Sequence, residues 1–360
     1  MFGVRRLLRC GEAMSDATEA QCEAKPCSRK PRRRLRRVLR VLAVLLVVVF
    51  LLLGVLLYNP VRTLATLEKV DDSPLYVMHY KGTYLFDFFA EDGLDKPLYR
   101  KIYNGVNPEA CTSFATAQGD GLVFGRNFDW VHESSLLLFT DPPGGYASVS
   151  MVDLFYLGLE GMQEIPWSER FVLLGAPHAS IDGMNECGVA IAQNAVPHRN
   201  TPKDPNRPTL LNSQIIRLVL DHAKDVDEAL TLIQQYNVEF AGVPVHFHIA
   251  DVSGDAAIVE YLDAGINIVR SDTSWQVSTN YLFSEEVKPH CWRYETVSKA
   301  LEAAQGHLPE GRAMELLEAV KQDHTVWSVV YGLSTGQIRL AVGMDYDEIY
   351  EFQLPMSARE

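Results

Sequence analysis

The sequence predicts an α+β fold in which antiparallel sheets are layered with helices, preceded by a single transmembrane helix. Three observations carry that expectation. An unbroken apolar run, Val41–Leu57, stands behind a strongly basic head. Beyond it the chain reads as strands, then helices, then strands, then helices, with many hairpin-type turns. No glycine-rich phosphate loop follows any of these strands, which argues against an open parallel nucleotide-binding sheet.

Residues 1–37 read as a disordered, cytoplasmic basic tail, charged and without apolar periodicity. Residues 1–40 hold twelve Lys/Arg and four Asp/Glu, a charge of +8, which leaves 21 basic and 42 acidic side chains, or −21, on the rest. So acidic a body argues against nucleic acid as a partner, because phosphate binding needs clustered Lys and Arg. The basic head is explained by a membrane instead. The span is expected at 38–58: the 17-residue core is short for a bilayer, but Val38, Leu39 and Tyr58 extend it and Arg40 can snorkel to the headgroups. The positive-inside rule then places the N-terminus in the cytoplasm and the acidic body outside. A cleaved secretion signal is the competing reading, but no Ala-x-Ala site directly follows Leu57 and the run exceeds a usual signal core.

Residues 59–110 are expected to form a short membrane-proximal helix and linker over 61–74, then a strand-like aromatic segment that packs on the main domain. That segment includes Leu75–Gly82 and Thr83–Phe89. The main domain is read as 111–360. It opens with a hairpin, Cys111–Trp130, folded at Gly119-Asp120-Gly121. A strand at Tyr146–Val152 follows an Asp141–Gly145 turn, and another at Gly188–Ala192 follows Asp182–Glu186. Four prolines between Val196 and Thr209 make that stretch a loop. Leu210–Ala223 has a continuous apolar face, and Asp225-Val-Asp-Glu228 is a capping-box signature for a helix to about Tyr236. Strands are expected at Val243–Asp251, Ala256–Tyr261, Ile266–Arg270 and Trp275–Ser278. Helices are expected at Trp292–Ala304 and Gly311–Gln322. Closing strands follow at Thr325–Tyr331, Gln337–Val342 and Glu348–Leu354.

The six cysteines divide by side. Cys10, Cys22 and Cys27 lie in the tail, where a cytosol keeps thiols reduced. Cys111, Cys187 and Cys291 face outward; a Cys187–Cys291 disulfide would leave Cys111 as the odd, reactive thiol.

The hairpin carries the chemistry. Folding back brings the guanidinium of Arg126 and the carboxylate of Asp129 beside the thiol of Cys111. A thiol becomes a nucleophile when a base takes its proton or positive charge lowers its pKa. A lone strand cysteine is nonetheless more often a small buried hydrophobe, and an Arg–Asp pair more often a surface pair.

Several motifs in order weigh against that plain reading. Cys111-Thr-Ser, Gly125-Arg-Asn-Phe-Asp129, Gly183-Met-Asn-Glu, Thr279-Asn280, Arg293-Tyr294 and Trp327-Ser-Val-Val-Tyr331 run through residues 105–355. In these the chain resembles the cysteine N-terminal-nucleophile hydrolases of linear amides, the group of choloylglycine hydrolase, penicillin V acylase, acid ceramidase and the isopenicillin N acyltransferase relatives. The resemblance implies a four-layer αββα sandwich and no cofactor or metal. It implies Cys111 as nucleophile and first residue of its chain, with its own α-amine as base. It further implies that Arg126 and Asp129 hold thiol and amine, with the guanidinium favouring thiolate. Asn280 becomes an oxyanion donor, Arg293 a structural or transition-state arginine, and Asn194 a candidate second oxyanion donor. Residue 111 becomes an N-terminus only if the Ala110–Cys111 bond is cut, by the same thiol in the acid ceramidase branch. The expected function is a membrane-anchored extracytoplasmic amidase acting on a small N-acyl amide, with the loop Val196–Thr209 as a substrate rim.

Other readings stay open. Acyl transfer to a second amine uses the same groups. His246 and His248 share one strand face near Asp251 and admit a zinc hydrolase, although such histidines, like His290, are ordinarily just partly exposed. A non-catalytic tethered binding protein on the same scaffold would be uncut, with Cys111 buried.

Overall fold

A computed structural model describes residues 31–357, except 92, 94–110, 118–120, 132–133, 160, 163, 198–201, 241 and 287. By internal contacts the chain divides into Met1–Val55 and Leu56–Glu360. The described part of the first unit belongs to helix α1 (Pro31–Leu64). Its stretch Leu35–Leu64 has 30 residues and contains an 18-residue window with a mean hydropathy of 3.2. At 1.5 Å per residue that exceeds a hydrocarbon core of about 30 Å. Its Leu and Val side chains are exposed from Leu35 through Leu57. Length and composition suit a membrane span and equally a signal sequence. The helix is longer at both ends than the expected 38–58, because the flanking Arg-rich and Tyr58–Leu64 segments continue it.

The second unit opens with β1 (Glu68–Asp71), β2 (Leu75–His79) and a short helix α2 (Phe86–Ala90). Next come β3 (Cys111–Thr116), β4 (Val123–Asp129), β5 (Ser135–Thr140), β6 (Ser148–Asp153), β7 (Ser180–Asn185) and β8 (Ala190–Ala195). A middle block holds β9 (Thr209–Leu211), α3 (Asn212–His222), α4 (Val226–Ile233) and β10 (Asn237–Glu239). Strands resume as β11 (Val245–Ala250), β12 (Ala256–Leu262), β13 (Gly265–Arg270) and β14 (Trp275–Ser278). Helices α5 (Trp292–Ala303) and α6 (Glu310–Ala319) precede β15 (Thr325–Gly332), β16 (Gln337–Val342) and β17 (Tyr350–Gln353).

Among the described residues the strands form a nine-stranded sheet, β1-β2-β5-β6-β7-β8-β11-β12-β13, a six-stranded sheet, β14-β3-β4-β15-β16-β17, and a separate parallel pair, β10-β9. Pairing is antiparallel throughout both sheets except at β2–β5, which is parallel. One core lies between the sheets: Phe124, Phe128, Trp327 and Tyr331 of the smaller meet Leu137, Met151, Ile181 and Met184 of the larger. A second lies where Ile215, Val219, Leu230 and Ile233 of α3 and α4 cover Ile191, Phe247 and Val259. A third lies where Val297, Leu301 and Leu317 of α5 and α6 cover Phe114, Val123 and Val330. The order is therefore helices, sheet, sheet, helices. The pleat explains how one strand serves two cores: Trp327, Val329 and Tyr331 face the inter-sheet core and Val330 faces the helices. The Asp225 N-cap also holds, accepting from the Glu228 N–H at 2.8 Å, while the Glu228 carboxylate reaches back to the Lys224 N–H at 2.9 Å.

Three expectations fail. Thr83–Phe89, read as a strand, instead leads into α2; Tyr84 and Phe86 drop into the α3 core while Phe88 stays exposed. Asp182–Asn185 is not a connection but most of β7, where a β-carbon at Gly183 would strike the Val149 carbonyl oxygen of β6. Cys187 and Cys291 are both free thiols: Cys187 sits in the β7–β8 turn of the large sheet, hydrogen-bonded to Tyr146, and Cys291 precedes α5 over the small one. The strand β5 carries the continuous run Leu136–Phe139, whose lack of alternation hid it from a period-two reading. The hairpin turn at 119–120 and part of the proline loop lie outside the described residues.

Candidate active site

The β3–β4 hairpin pairs Cys111 with Phe128 and Ser113 with Arg126. Cys111 and Ser113 therefore share a face, and Arg126 enters the inter-sheet space on that same face. Gly125 is required just before it, because a β-carbon there would strike the Phe114 ring. Arg126 Nη2 donates to the Cys111 sulfur at 3.5 Å. The Cys111 N–H donates to Asn280 Oδ1 at 2.7 Å, and Asn280 Nδ2 donates to the Ala195 carbonyl at 2.8 Å. Arg293, entering from the first turn of α5, donates through Nη1 to the Cys111 carbonyl at 2.5 Å and to Thr112 Oγ1 at 2.8 Å. Its Nη2 donates to Asn280 Oδ1 at 2.9 Å. Four of the six expected residues thus meet at one cysteine, Cys111, Arg126, Asn280 and Arg293, and the Asp129 carboxylate lies beside them at Arg293.

The electrostatics differ from the sequence expectation. Burial pushes the Cys111 thiol up; the Arg126 and Arg293 charges and the Asp129 N–H oppose it without prevailing. Arg126 is not a free cation. Its Nε lies 2.9 Å from Asp182 Oδ2, with both side chains wholly buried, and its Nη1 donates to Asn194 Oδ1 at 2.6 Å. Asn194 then donates both amide hydrogens inward, to Ser113 Oγ at 2.9 Å and Ser278 Oγ at 2.8 Å. Those donors are committed, so this geometry makes Asn194 a holder of Arg126 and not a donor to substrate. Ser113 Oγ lies 2.9 Å from His248 Nδ1 and Ser278 Oγ 2.7 Å from His246 Nε2. Each hydroxyl, having accepted from Asn194, has its own hydrogen to give to imidazole. Both rings are wholly buried, not partly exposed, and burial lowers each to about 3, so they stand neutral. Asp251 does not join them: it accepts from the Val226 and Ser253 N–H groups at 2.8 and 2.7 Å.

Asp129 accepts from Thr325 Oγ1 at 2.5 Å, and its second oxygen lies 3.8 Å from Arg293 Nη1. Burial raises its carboxyl to about 6, against the Thr325 hydrogen bond and the charges of Arg293, His324 and Arg126. The folded value exceeds the unfolded one of about 3.9, so folding favours the protonated form. The cost of ionising Asp129 is absent below about pH 4 and complete once the pH has risen through about 6. In an uncut Cys111→Ala background, Asp129→Asn is therefore expected to add ~2–3 kcal/mol of stability near neutrality. The gain should vanish in acid, as thermal melts at the two pH values would show.

Asp182, Ser113, Ser278 and Thr325 escaped the sequence reading. Asp182 had a signal, since it directly precedes the Gly183-Met-Asn motif. The hydroxyls of Ser113 and Ser278 meet Asn194 and the imidazoles only when the two sheets stack, which no spacing rule reads, and Thr325 reaches Asp129 across the β4–β15 pairing, between positions 196 residues apart.

A family model, acyl-coenzyme A:6-aminopenicillanic acid acyl-transferase, matches residues 116–324, more than half of the chain, starting five residues past Cys111. The penicillin V acylase of Pectobacterium atrosepticum is 26% identical over 196 residues, 48% of this chain and 49% of that protein. The chain thus spans about half the length of the curated relative it matches. Among solved structures, penicillin V acylase from Agrobacterium tumefaciens superposes with a TM-score of 0.51 at 18% identity, over 68% of this chain and 86% of that one. A mutant of conjugated bile acid hydrolase from Clostridium perfringens gives 0.50 at 13% identity, over 68% and 92%. These structures share the fold of two stacked antiparallel sheets. The chain belongs to the acyl-coenzyme A:6-aminopenicillanic acid acyl-transferase family, within the N-terminal-nucleophile hydrolases of linear amides.

Proposed function

We propose that the chain is a membrane-anchored, extracytoplasmic cysteine amidase that hydrolyses a small N-acyl amide after cleavage between Ala110 and Cys111. One observation carries the reading: sulfur, nitrogen and carbonyl of a single cysteine are each held by a different polar side chain, at 3.5, 2.7 and 2.5 Å. A merely structural cysteine has no use for a hydrogen bond at all three positions. Ala110 itself lies outside the described residues.

In the proposed reaction the freed α-amine takes the thiol proton and the sulfur attacks the amide carbonyl, forming a C–S bond. Asn280 helps bind the oxyanion. The ammonium returns the proton to the leaving nitrogen as the C–N bond breaks, and water then hydrolyses the thioester. Because burial keeps the thiol neutral, the adjacent amine has a task that Arg126 does not perform. Arg293 grips the carbonyl of the nucleophile itself, which supports a positioning role.

The N-terminal fragment would remain attached after cleavage. Strand β2 lies inside the large sheet, parallel to β5 over five residues and antiparallel to β1. Tyr84 adds a hydroxyl bridge to both Asp221 oxygens at 2.6 and 2.7 Å. The basic head, the apolar helix and the acidic remainder support the anchor and its orientation.

The burial of Cys111 also favours a second reading, a non-catalytic binding protein that never cuts itself. Intact mass and N-terminal sequencing of the purified protein separate the two. A new terminus at Cys111 supports the amidase; a single chain in a preparation that still releases amine from N-acyl amides overturns it. Thiol alkylation should abolish that release and a metal chelator should leave it unchanged; the reverse would favour zinc at His246 and His248.

A further inference from the structure

We propose that Asp182 is a positioning residue of this site, a buried counter-charge that holds Arg126 against the Cys111 sulfur and weakens its field there. The inference deepens the amidase reading and rests on it for its catalytic meaning.

Asp182 lies on β7 of the large sheet, while Arg126 and Cys111 lie on β4 and β3 of the small one. The ion pair therefore crosses the inter-sheet core, at 2.9 Å between two wholly buried side chains. Neither carboxylate oxygen depends on Arg126 alone. Trp327 Nε1 donates to Oδ2 at 3.1 Å and the Tyr331 hydroxyl donates to Oδ1 at 2.6 Å. Both donors come from β15, two pleats apart on one face, and β15 also pairs with β4. The carboxylate is thus clamped by the neighbour of the strand whose arginine it binds. The Phe128 ring, 4.1 Å from that of Trp327 and 5.3 Å from the Arg126 guanidinium carbon, closes the remaining side.

With Nε on Asp182 and Nη1 on Asn194, the guanidinium has one orientation left, which directs Nη2 at the sulfur. The same arrangement offsets part of the positive charge that would otherwise stabilise a resting thiolate. A cysteine beside a free arginine would ionise unaided. Beside a neutral ion pair it keeps its proton until a base within reach takes it. The two roles separate experimentally, because Asp182→Asn removes the charge but keeps the shape and an acceptor for Arg126 and Trp327.

The test is a pH titration of thiolate ultraviolet absorbance, taken as the difference between each protein and its Cys111→Ala counterpart. In Asp182→Asn the midpoint should fall by about one pH unit or more, since a buried negative charge near the sulfur is gone. Asp182→Glu should restore it towards the parent value. If Asp182→Asn alone does not fold, Arg126→Gln is compared with the Arg126→Gln/Asp182→Asn double variant. The lone carboxylate should place the midpoint of the single variant above that of the double. An unchanged or raised midpoint in Asp182→Asn, or equal midpoints in the second pair, overturns the proposal. The titration reads the thiol whether or not any amide is turned over, so its failure is distinct from failure of the amidase reading.

Discussion

Replacing Cys111 with alanine is expected to leave one uncut polypeptide and to abolish amine release from N-acyl substrates. Both losses follow from the same atom. In the proposed scheme the sulfur forms the acyl intermediate, and it also cuts the bond that frees its own amine. The fold should survive, since Cys111 starts an antiparallel strand whose other residues, through Thr116, are buried and paired. The outcome is read by intact mass for the cleavage and by product release for turnover, with an unchanged melting profile as the control for folding. A variant that remains cut, or that still releases amine, removes the thiol from the mechanism. Cys111→Ser is the useful companion: it keeps a nucleophilic atom, and a slow, partial cut would show that the surrounding geometry suffices for the first step.

The second large effect is expected at Asn280. Its Oδ1 receives hydrogen bonds from the Cys111 nitrogen and from Arg293, and its Nδ2 extends to the Ala195 carbonyl. Removing one oxyanion donor elsewhere costs roughly 10²–10³ in kcat. Asn280→Ala also releases the nitrogen that is to act as base, so kcat should fall by at least about that factor while KM moves little. Asn280→Asp separates the two tasks. It keeps an acceptor for the nitrogen and for Arg293 but loses the amide donor. Turnover in Asn280→Asp should stay low if oxyanion binding dominates and recover if the nitrogen anchor dominates. Near-parental rates in Asn280→Ala would exclude both roles.

The division between legible and illegible residues has a physical pattern. Local rules located the β3–β4 hairpin, the Asp225 N-cap, β14 and β16, because turn chemistry and strand periodicity act over a few residues. They failed at Thr83–Phe89, where tertiary burial of Tyr84 and Phe86 overrode alternation, and at β5, which is buried on both faces. Histidines 246 and 248 read as a partly exposed pair on one strand face. Their surroundings were illegible because the second sheet, whose serines they touch, comes from segments about 30 and 135 residues away.

By itself the sequence determined the class of fold and the apolar helix behind a basic head, and it put Cys111, Arg126, Asp129, Asn280 and Arg293 forward as one candidate set, since residue identity and motif order are properties of the chain alone. Tertiary structure decided how those groups are charged and aimed. Stacking one sheet on the other brought Asp182 to Arg126, sealed Asn194 with two serines, and buried the thiol until desolvation outweighed the guanidinium beside it. Electrostatic energy depends on distance and on excluded water, and neither exists until the layers close.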